Sequence, residues 1–328
     1  MNNVTREHLS VTAVIPAHNS SKTLPRAIES VLRQTVKAEV IVVDDGSTDD
    51  TPELLRNYGN RISVIRQTNR GAGAARATGT HAANTDLIAY LDADDAWHPN
   101  KLQRQLPAFS DPETGLSSTA GQWIDETGSI IRVSKPARNG YLTRELLFRN
   151  FIVTSSVVVR KRTIERLQPM FRHELFPVED WDAWIRLSTF TKISVSPEIL
   201  VDYYLLSNSG SRARSPEDFK RLYEQMFEEL RTDPSLQHIM QEEATHIRAN
   251  LHFMIAYLNY EDGNYRRFWN ELLESVRLAP LKHPWLNSLP MLLLPRAARE
   301  QMRRLYARIR RNSVAREPTA DIPSLGSR

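Results

Sequence analysis

Over the first hundred residues, apolar positions switch back and forth between two periods. Residues 11–15 are a short apolar, partly β-branched run, as in a buried strand. Leu24, Ala27, Ile28, Val31 and Leu32 then fall at i, i+3, i+4, i+7 and i+8, one face of a helix. A second strand is expected over 39–43, followed by Asp49, Asp50 and Thr51 as capping residues and Pro52 suited to a first helical turn. A strand over 62–66, a small-residue helix over 72–83, a strand over 87–91 and a helix over 99–109 continue the rotation. Strict alternation implies right-handed crossovers and a mostly parallel sheet flanked by helices, an α/β fold.

From about Thr114 the pattern loosens. Residues 118–124 and 129–133, joined by Asp125-Glu126-Thr127-Gly128, read as a hairpin. A β-branched strand is expected over 153–159, a helix led by carboxylates over 179–189 and a last strand over 199–206. After Ser215 the spacing is helical through Glu229, again over 236–260 and again over 265–278. The expected organisation is therefore an α/β domain over 1–214, an all-helical region with a basic end over 215–316, and a disordered tail over 317–328.

Charge sharpens this division. Lys plus Arg number 43 against 39 Asp plus Glu, but residues 296–316 hold eight Arg and one Glu, so the basicity is local and the remainder is slightly acidic. A fold-wide nucleic-acid surface is a poor reading of such a chain. The absence of Cys excludes disulfides, thiolate metal sites and a cysteine nucleophile, leaving carboxylates, His and hydroxyls. No apolar run approaches the ~20 residues of a spanning helix, and residues 1–10 lack a signal-like apolar stretch, so a cytoplasmic protein is expected. Met302, Leu305, Tyr306 and Ile309 nevertheless make one face of an Arg-rich helix, and Trp285 with five leucines and a methionine precedes it. Peripheral contact with the inner face of a membrane between Trp285 and Arg311 is one reading, and packing on the preceding helices is the other.

Ligands of open parallel sheets bind beyond the carboxyl ends of the strands. Three polar clusters fall there: Pro16-Ala17-His18-Asn19, Asp44-Asp45-Gly46-Ser47 and Asp92-Ala93-Asp94-Asp95. Each alone suits turns and caps; together they crowd like charges that need a cation between them. On extended backbone, Asp92 and Asp94 would point to one side and offer hard oxygens to Mg2+ or Mn2+, with substrate phosphates completing the shell. Asp95 would then cap the turn into Trp97, and His98 is a loop residue or a further ligand. Asn69-Arg70-Gly71-Ala72-Gly73-Ala74-Ala75-Arg76 opens the third helix, where Arg76 can meet a phosphate or only solvate the helix. It matches neither a P-loop nor a dinucleotide fingerprint. Glu179-Asp180 heads a helix containing Trp181 and Trp184, either stabilising its N-terminus or supplying a general base.

Five of these segments, VTAVIPAHN over 11–19, EVIVVDDGSTDDT over 39–51, residues 69–76, LDADDAW over 91–97 and Glu179-Asp180-Trp181, together resemble family 2 glycosyltransferases of the GT-A fold. The resemblance implies an inverting transferase that uses a nucleotide-diphospho-sugar, most often a UDP-sugar, and a divalent cation, with a glycan or lipid-linked acceptor in surface polysaccharide synthesis. By carry-over, Pro16, Ala17, Asn19, Asp44 and Asp45 lie at the nucleoside. Arg76, Asp92 and Ala93 lie at the rest of the donor, and Asp94, with Asp92, lies at the metal. Asp180 becomes the catalytic base, with Glu179 the alternative.

Two departures bear on this. His18 stands where the family commonly has Tyr or Phe. The Gln-x-x-Arg-Trp motif of processive members is absent after Ser207, where Ser207-Asn208-Ser209-Gly210-Ser211-Arg212 suits a flap or a linker, so transfer of one sugar per encounter is expected. The alternatives are a non-catalytic glycan- or nucleotide-sugar-binding protein on a transferase fold, a sugar nucleotidyltransferase, disfavoured because residues 17–22 lack a Gly-rich loop, and a nucleic-acid binder resting on the Arg-rich end alone.

Overall fold

The computed structural model describes residues 9–134, 138–205 and 215–279. The strands are β1 Val11–Ala17, β2 Glu39–Asp45, β3 Ser63–Gln67, β4 Leu87–Tyr90, β5 Ala96–Trp97, β6 Thr114–Ile124, β7 Ile130–Val133, β8 Val158–Arg160 and β9 Lys192–Tyr204. Helices α1 Leu24–Leu32, α2 Thr51–Arg56, α3 Ala72–Ala82, α4 Lys101–Gln105, α5 Thr143–Phe148 and α6 Lys161–Ile164 precede α7 Glu179–Ser188. The remaining described helices are α8 Pro216–Arg231, α9 Gln237–Glu242, α10 Ala244–Glu261 and α11 Tyr265–Leu278.

One sheet runs in the order β3-β2-β1-β4-β8-β6-β9-β5, with β7 on β6. Its first four strands are parallel, and β6 is parallel to β9. β8, β5 and β7 are antiparallel to their neighbours, so the second half of the sheet is mixed where strict alternation had ended. Alternation along β1 explains the two cores. Val11, Ala13 and Ile15 pack against Leu24, Ala27, Ile28 and Val31 of α1. Val14 faces the opposite side, toward Ala75 of α3 and Trp184 of α7. Gly79 lets α3 approach this closely, because a Cβ there would lie 2.5 Å from a Val14 methyl.

Four element boundaries differ from expectation. Residues 153–159 split into a 3-10 turn, Thr154–Ser156, and the short β8, because the three hydroxyls of the turn take local and site partners instead of continuing a ladder. The 99–109 helix is α4 followed by a 3-10 turn over Leu106–Ser110, where Pro107 cannot continue the helical hydrogen bonds. The last strand begins at Lys192, and Pro197 is accommodated by a bulge, since Thr119 opposes Ser196 while Ala120 opposes Ile199. Residues 236–260 form two helices broken at Glu243, a buried carboxylate bonded to His246 and paired with Arg144.

The C-terminal helices continue the core of the α/β region. Trp181 of α7 packs edge-on against Tyr223 and Phe227 of α8, with ring centroids 5.5 and 6.0 Å apart. α8 is fixed at its start by a reciprocal Ser215–Asp218 capping box. No helix among the described residues is long and apolar enough to cross a membrane. The expectations for Ser207–Arg212, for the stretch between Trp285 and Arg311 and for the tail fall outside the described residues.

Candidate active site

Parallel pairing delivers the three polar clusters to one rim. Ala17 lies opposite Asp44, and Val14 opposite Tyr90, so β1, β2 and β4 end on the same edge. The first two ends are then laced together. Asn19, with φ 49°, accepts the Thr48 amide at 2.8 Å, and its own amide donates to Ser47 Oγ at 3.0 Å. Asp44 is buried, accepts the Ser47 amide at 2.9 Å and lies 3.6 Å from the Arg66 guanidinium. The Asp45 carboxylate accepts from Gln67 Nε2, the Arg70 amide and the Gly71 amide at 2.7, 3.0 and 2.7 Å. Both aspartates thus carry internal partners, and Asp45 holds residues 67–71 against the β2 end. His18 bonds the Asp45 carbonyl oxygen at 2.9 Å through Nδ1, a tethering role for the residue that replaces the expected aromatic.

Asp92–Asp95 is a tight turn closed by the Asp95 amide on the Asp92 carbonyl at 3.1 Å, not extended backbone as expected. Turn geometry, not strand alternation, therefore brings Asp92 and Asp94 together. Burial, reinforced by the Asp92 charge, pushes Asp94 up to about 6. Among the described residues no other side chain hydrogen-bonds or ion-pairs with the Asp94 carboxylate, while the Asp94 carbonyl oxygen accepts from Arg26 at 2.5 Å. Asp95 is fully buried, bonded to the Ser155 hydroxyl and, at 3.2 Å, to the Tyr204 amide, instead of capping the turn into Trp97 as expected. His98 pairs with Asp202 at 3.0 Å.

The acidic pair at the head of α7 reaches the same rim. Arg76, 5% exposed, donates to Asp92 at 2.7 Å and to Glu179 at 3.0 Å. Burial opposes its charge, but these two carboxylates outweigh burial and hold it protonated. The expected phosphate ligand is thus already bonded to two candidate site carboxylates. Gly73 permits the close approach of Glu179, since a Cβ there would meet Glu179 Cγ at 3.0 Å. Glu179 is buried, and desolvation lifts it to about 7 in spite of Arg76. Asp180 is half-buried; Thr154 donates to its Oδ2 at 2.5 Å and the Trp181 amide to its Oδ1 at 2.6 Å. Burial raises its pKa also.

Sequence reading missed the Thr154–Ser156 turn. Thr154 holds Asp180, while Ser155 accepts the Asp92 amide at 3.1 Å and donates to Asp95, so one turn orients both acidic clusters. The only signal was three hydroxyl residues interrupting a β-branched run. Pro16, Ala17 and Ala93 sit on the rim as expected, with Ala17 and Ala93 buried.

Among the described residues no three His, Asp or Glu side chains surround one point. Asp94 and Asp92 nevertheless fit Mg2+ or Mn2+ in the manner of sites where substrate phosphates supply most ligands, because Asp94 offers a hard oxygen donor that no described side chain bonds, beside a second carboxylate.

Residues 12–166, just under half of the chain, match the model of glycosyl transferase family 2. It is 31% identical over 215 residues to an uncharacterized glycosyltransferase of Rickettsia conorii, a match covering 62% of this chain and 35% of that one. The chain thus spans about a third of the length of such curated relatives. Two solved structures share the GT-A fold. S. aureus TarS 1-349 in complex with UDP-GlcNAc superposes with a TM-score of 0.56 at 19% identity, covering 93% of this chain and 92% of that one. The mannosyltransferase PcManGT of Pyrobaculum calidifontis, in complex with GDP-Man and Mn2+, gives 0.57 at 16% identity over 94% and 88%.

Proposed function

We propose that this glycosyltransferase moves a sugar from a nucleotide-diphospho-sugar, a UDP-sugar in the first instance, to a hydroxyl of a glycan or lipid-linked acceptor. Transfer inverts the anomeric carbon and adds one sugar per encounter, with the enzyme on the cytoplasmic side and peripheral to the membrane. The observation that carries this reading is the convergence of Asp92, Glu179 and Asp180 around Arg76 at the carboxyl edge of β4.

In this account Pro16 and Ala17 face the nucleoside, while Asn19, Asp44 and Asp45 hold the loops that frame it. Asp92 and the Ala93 backbone take the ribose and sugar side, and Arg76 holds the Asp92 carboxylate in place. Asp94, with Asp92, would hold Mg2+ or Mn2+, which when bound would supply positive charge beside the departing diphosphate. Asp180 is assigned as the base, because Glu179 is buried and bonded to Arg76 whereas Asp180 is partly open to the rim. Thr154 and the Trp181 amide hold its carboxylate in place. It accepts the acceptor's hydroxyl proton as that oxygen attacks the anomeric carbon from the face opposite the diphosphate. Desolvation makes it a stronger base than an exposed aspartate.

The test is release of nucleoside diphosphate from UDP-, GDP-, dTDP- and CDP-sugars with Mn2+, including slow hydrolysis when water replaces the acceptor. One nucleotide class should turn over, and Asp180→Asn should lose turnover while retaining donor binding. Donor binding without turnover in the unmodified protein, under all conditions, would favour the non-catalytic alternative.

A further inference from the structure

Three neighbouring strands carry a row of side chains that leads away from the acidic turn after β4. Arg132 of β7 lies opposite Trp123 of β6, and Trp123 lies opposite Tyr203 of β9. Register partners in a sheet share a face, so the three stand side by side. The Trp123 and Tyr203 ring centroids are 5.7 Å apart with the rings inclined by 42°, and the Arg132 guanidinium sits 4.5 Å from the Trp123 ring centroid. Neither ring is fully covered, and Arg132 is exposed.

The inner end of this row reaches the candidate site. The Tyr204 amide bonds Asp95, which fixes this part of β9 to the acidic turn, while the Tyr204 ring lies 3.4 Å from the Arg26 guanidinium. Tyr203, one residue earlier, points to the other face of the strand. Burial raises the pKa of its hydroxyl, and the charges of Asp95, Asp92, Asp94 and Asp180 add to that rise, so Tyr203 feels both acidic groups. In the strand order, β6 and β9 lie on the opposite side of β4 from β2, the strand that ends in Asp44 and Asp45. The row is therefore on the far side of the acidic turn from the loops that frame the nucleoside.

Two partly open rings beside carboxylates suit one kind of ligand. A pyranose has a face of C–H groups, which an aromatic ring covers, and a rim of hydroxyls, which donate to carboxylates. A lipid phosphate at the Tyr203 end would instead meet the like charge of Asp180. We propose that Trp123 and Tyr203 form the acceptor subsite, a platform on which a sugar ring of the acceptor stacks with its reacting hydroxyl turned toward Asp180. The inference rests on the proposed assignment of Asp180 to the acceptor's proton, and it narrows the acceptor to a glycan that presents a pyranose.

Stacking reads a C–H face common to hexopyranoses, so the methyl β-glycosides of glucose, galactose, mannose and N-acetylglucosamine serve as probes, with and without UDP and Mn2+. At least one should change the tryptophan fluorescence of the full-length protein and speed release of nucleoside diphosphate from the donor that turns over. Trp123→Ala should abolish the fluorescence change and raise the KM for that glycoside about tenfold. Trp123→Phe keeps a ring, so it should lose the fluorescence change yet hold the KM within a few fold, a split that a purely structural Trp123 would not give. Trp269→Ala, on the exposed side of α11, should alter neither. Fluorescence that ignores all four glycosides, a change that persists in Trp123→Phe, or an unaltered KM in Trp123→Ala would overturn the platform. Donor turnover with no glycoside response would do so while leaving the transferase reading intact. A glycoside response carried by Trp123 without any donor turnover would support the platform and overturn that reading instead.

Discussion

Arg76 and Glu179, 103 positions apart in sequence, are joined by a 3.0 Å contact inside the protein, with Asp92 on the other side of the same guanidinium at 2.7 Å. Through this one side chain the first turn of α7 is fixed to the acidic turn after β4. The acidic pair of α7 and the acidic turn after β4 thereby belong to one electrostatic unit.

Removing the cation should therefore cost more than removing either anion. Arg76→Met leaves two carboxylates facing each other without compensation, and a loss of about 3–5 kcal/mol is expected. Adding Glu179→Met should recover part of it. Chemical denaturation of the single and double variants measures the coupling.

Glu179 gives a pH signature of known sign. Its pKa is raised by burial from 4.5 to about 7, so its contribution to stability is fully present below pH 4.5 and is lost as pH rises through about 7. Glu179→Gln should be relatively more stable than the parent protein at pH 8 than at pH 4. The difference between their melting curves across that range isolates this group from the other carboxylates. A difference independent of pH would contradict the assignment.

Asp180→Asn should lower turnover by about 10²- to 10⁴-fold, the usual worth of a general base. Donor affinity should stay within a few fold, because Asp180 is assigned to the acceptor's proton. In the parent enzyme the acidic limb of the rate profile should lie above the ordinary aspartate range, since burial raises the Asp180 pKa. Stopped assays at saturating donor from pH 4 to pH 8 will show whether it does.

Ser155→Ala removes a hydroxyl that serves both Asp95 and the Asp92 amide. A buried carboxylate left short of a donor costs about 1–3 kcal/mol, and the acidic turn loses its anchor. Both the melting temperature and metal-dependent donor binding should fall, whereas Ser110→Ala on the exposed surface should change neither.

The parallel half of the fold was legible because its strands and helices carry clean periodicity, as at Leu24, Ala27, Ile28 and Val31, and all four are buried. The antiparallel half was not, since β8 is three residues long and its pairing with β4 and β6 depends on partners far away in sequence. At the site, residue types announced Asp92, Asp94, Glu179 and Asp180, but their geometry was hidden. Asp92–Asp95 reads equally well as strand or turn. That Arg76 turns inward to Asp92 and Glu179 follows from how closely α3 and α7 pack around Gly73. The Thr154–Ser156 turn was invisible because β-branched neighbours make the stretch read as strand.

The account turns on Asp94 as the carboxylate that links a divalent cation to the donor. Calorimetric titration of UDP- and GDP-sugars into the full-length protein, with Mn2+ and with EDTA, and again into Asp94→Asn, addresses it directly. Burial and Asp92 already disfavour the Asp94 charge, so the unliganded variant should melt no lower than the parent protein. Binding of one nucleotide class that requires Mn2+ and disappears in Asp94→Asn is the predicted result. Metal-independent donor binding that the substitution leaves intact would contradict it.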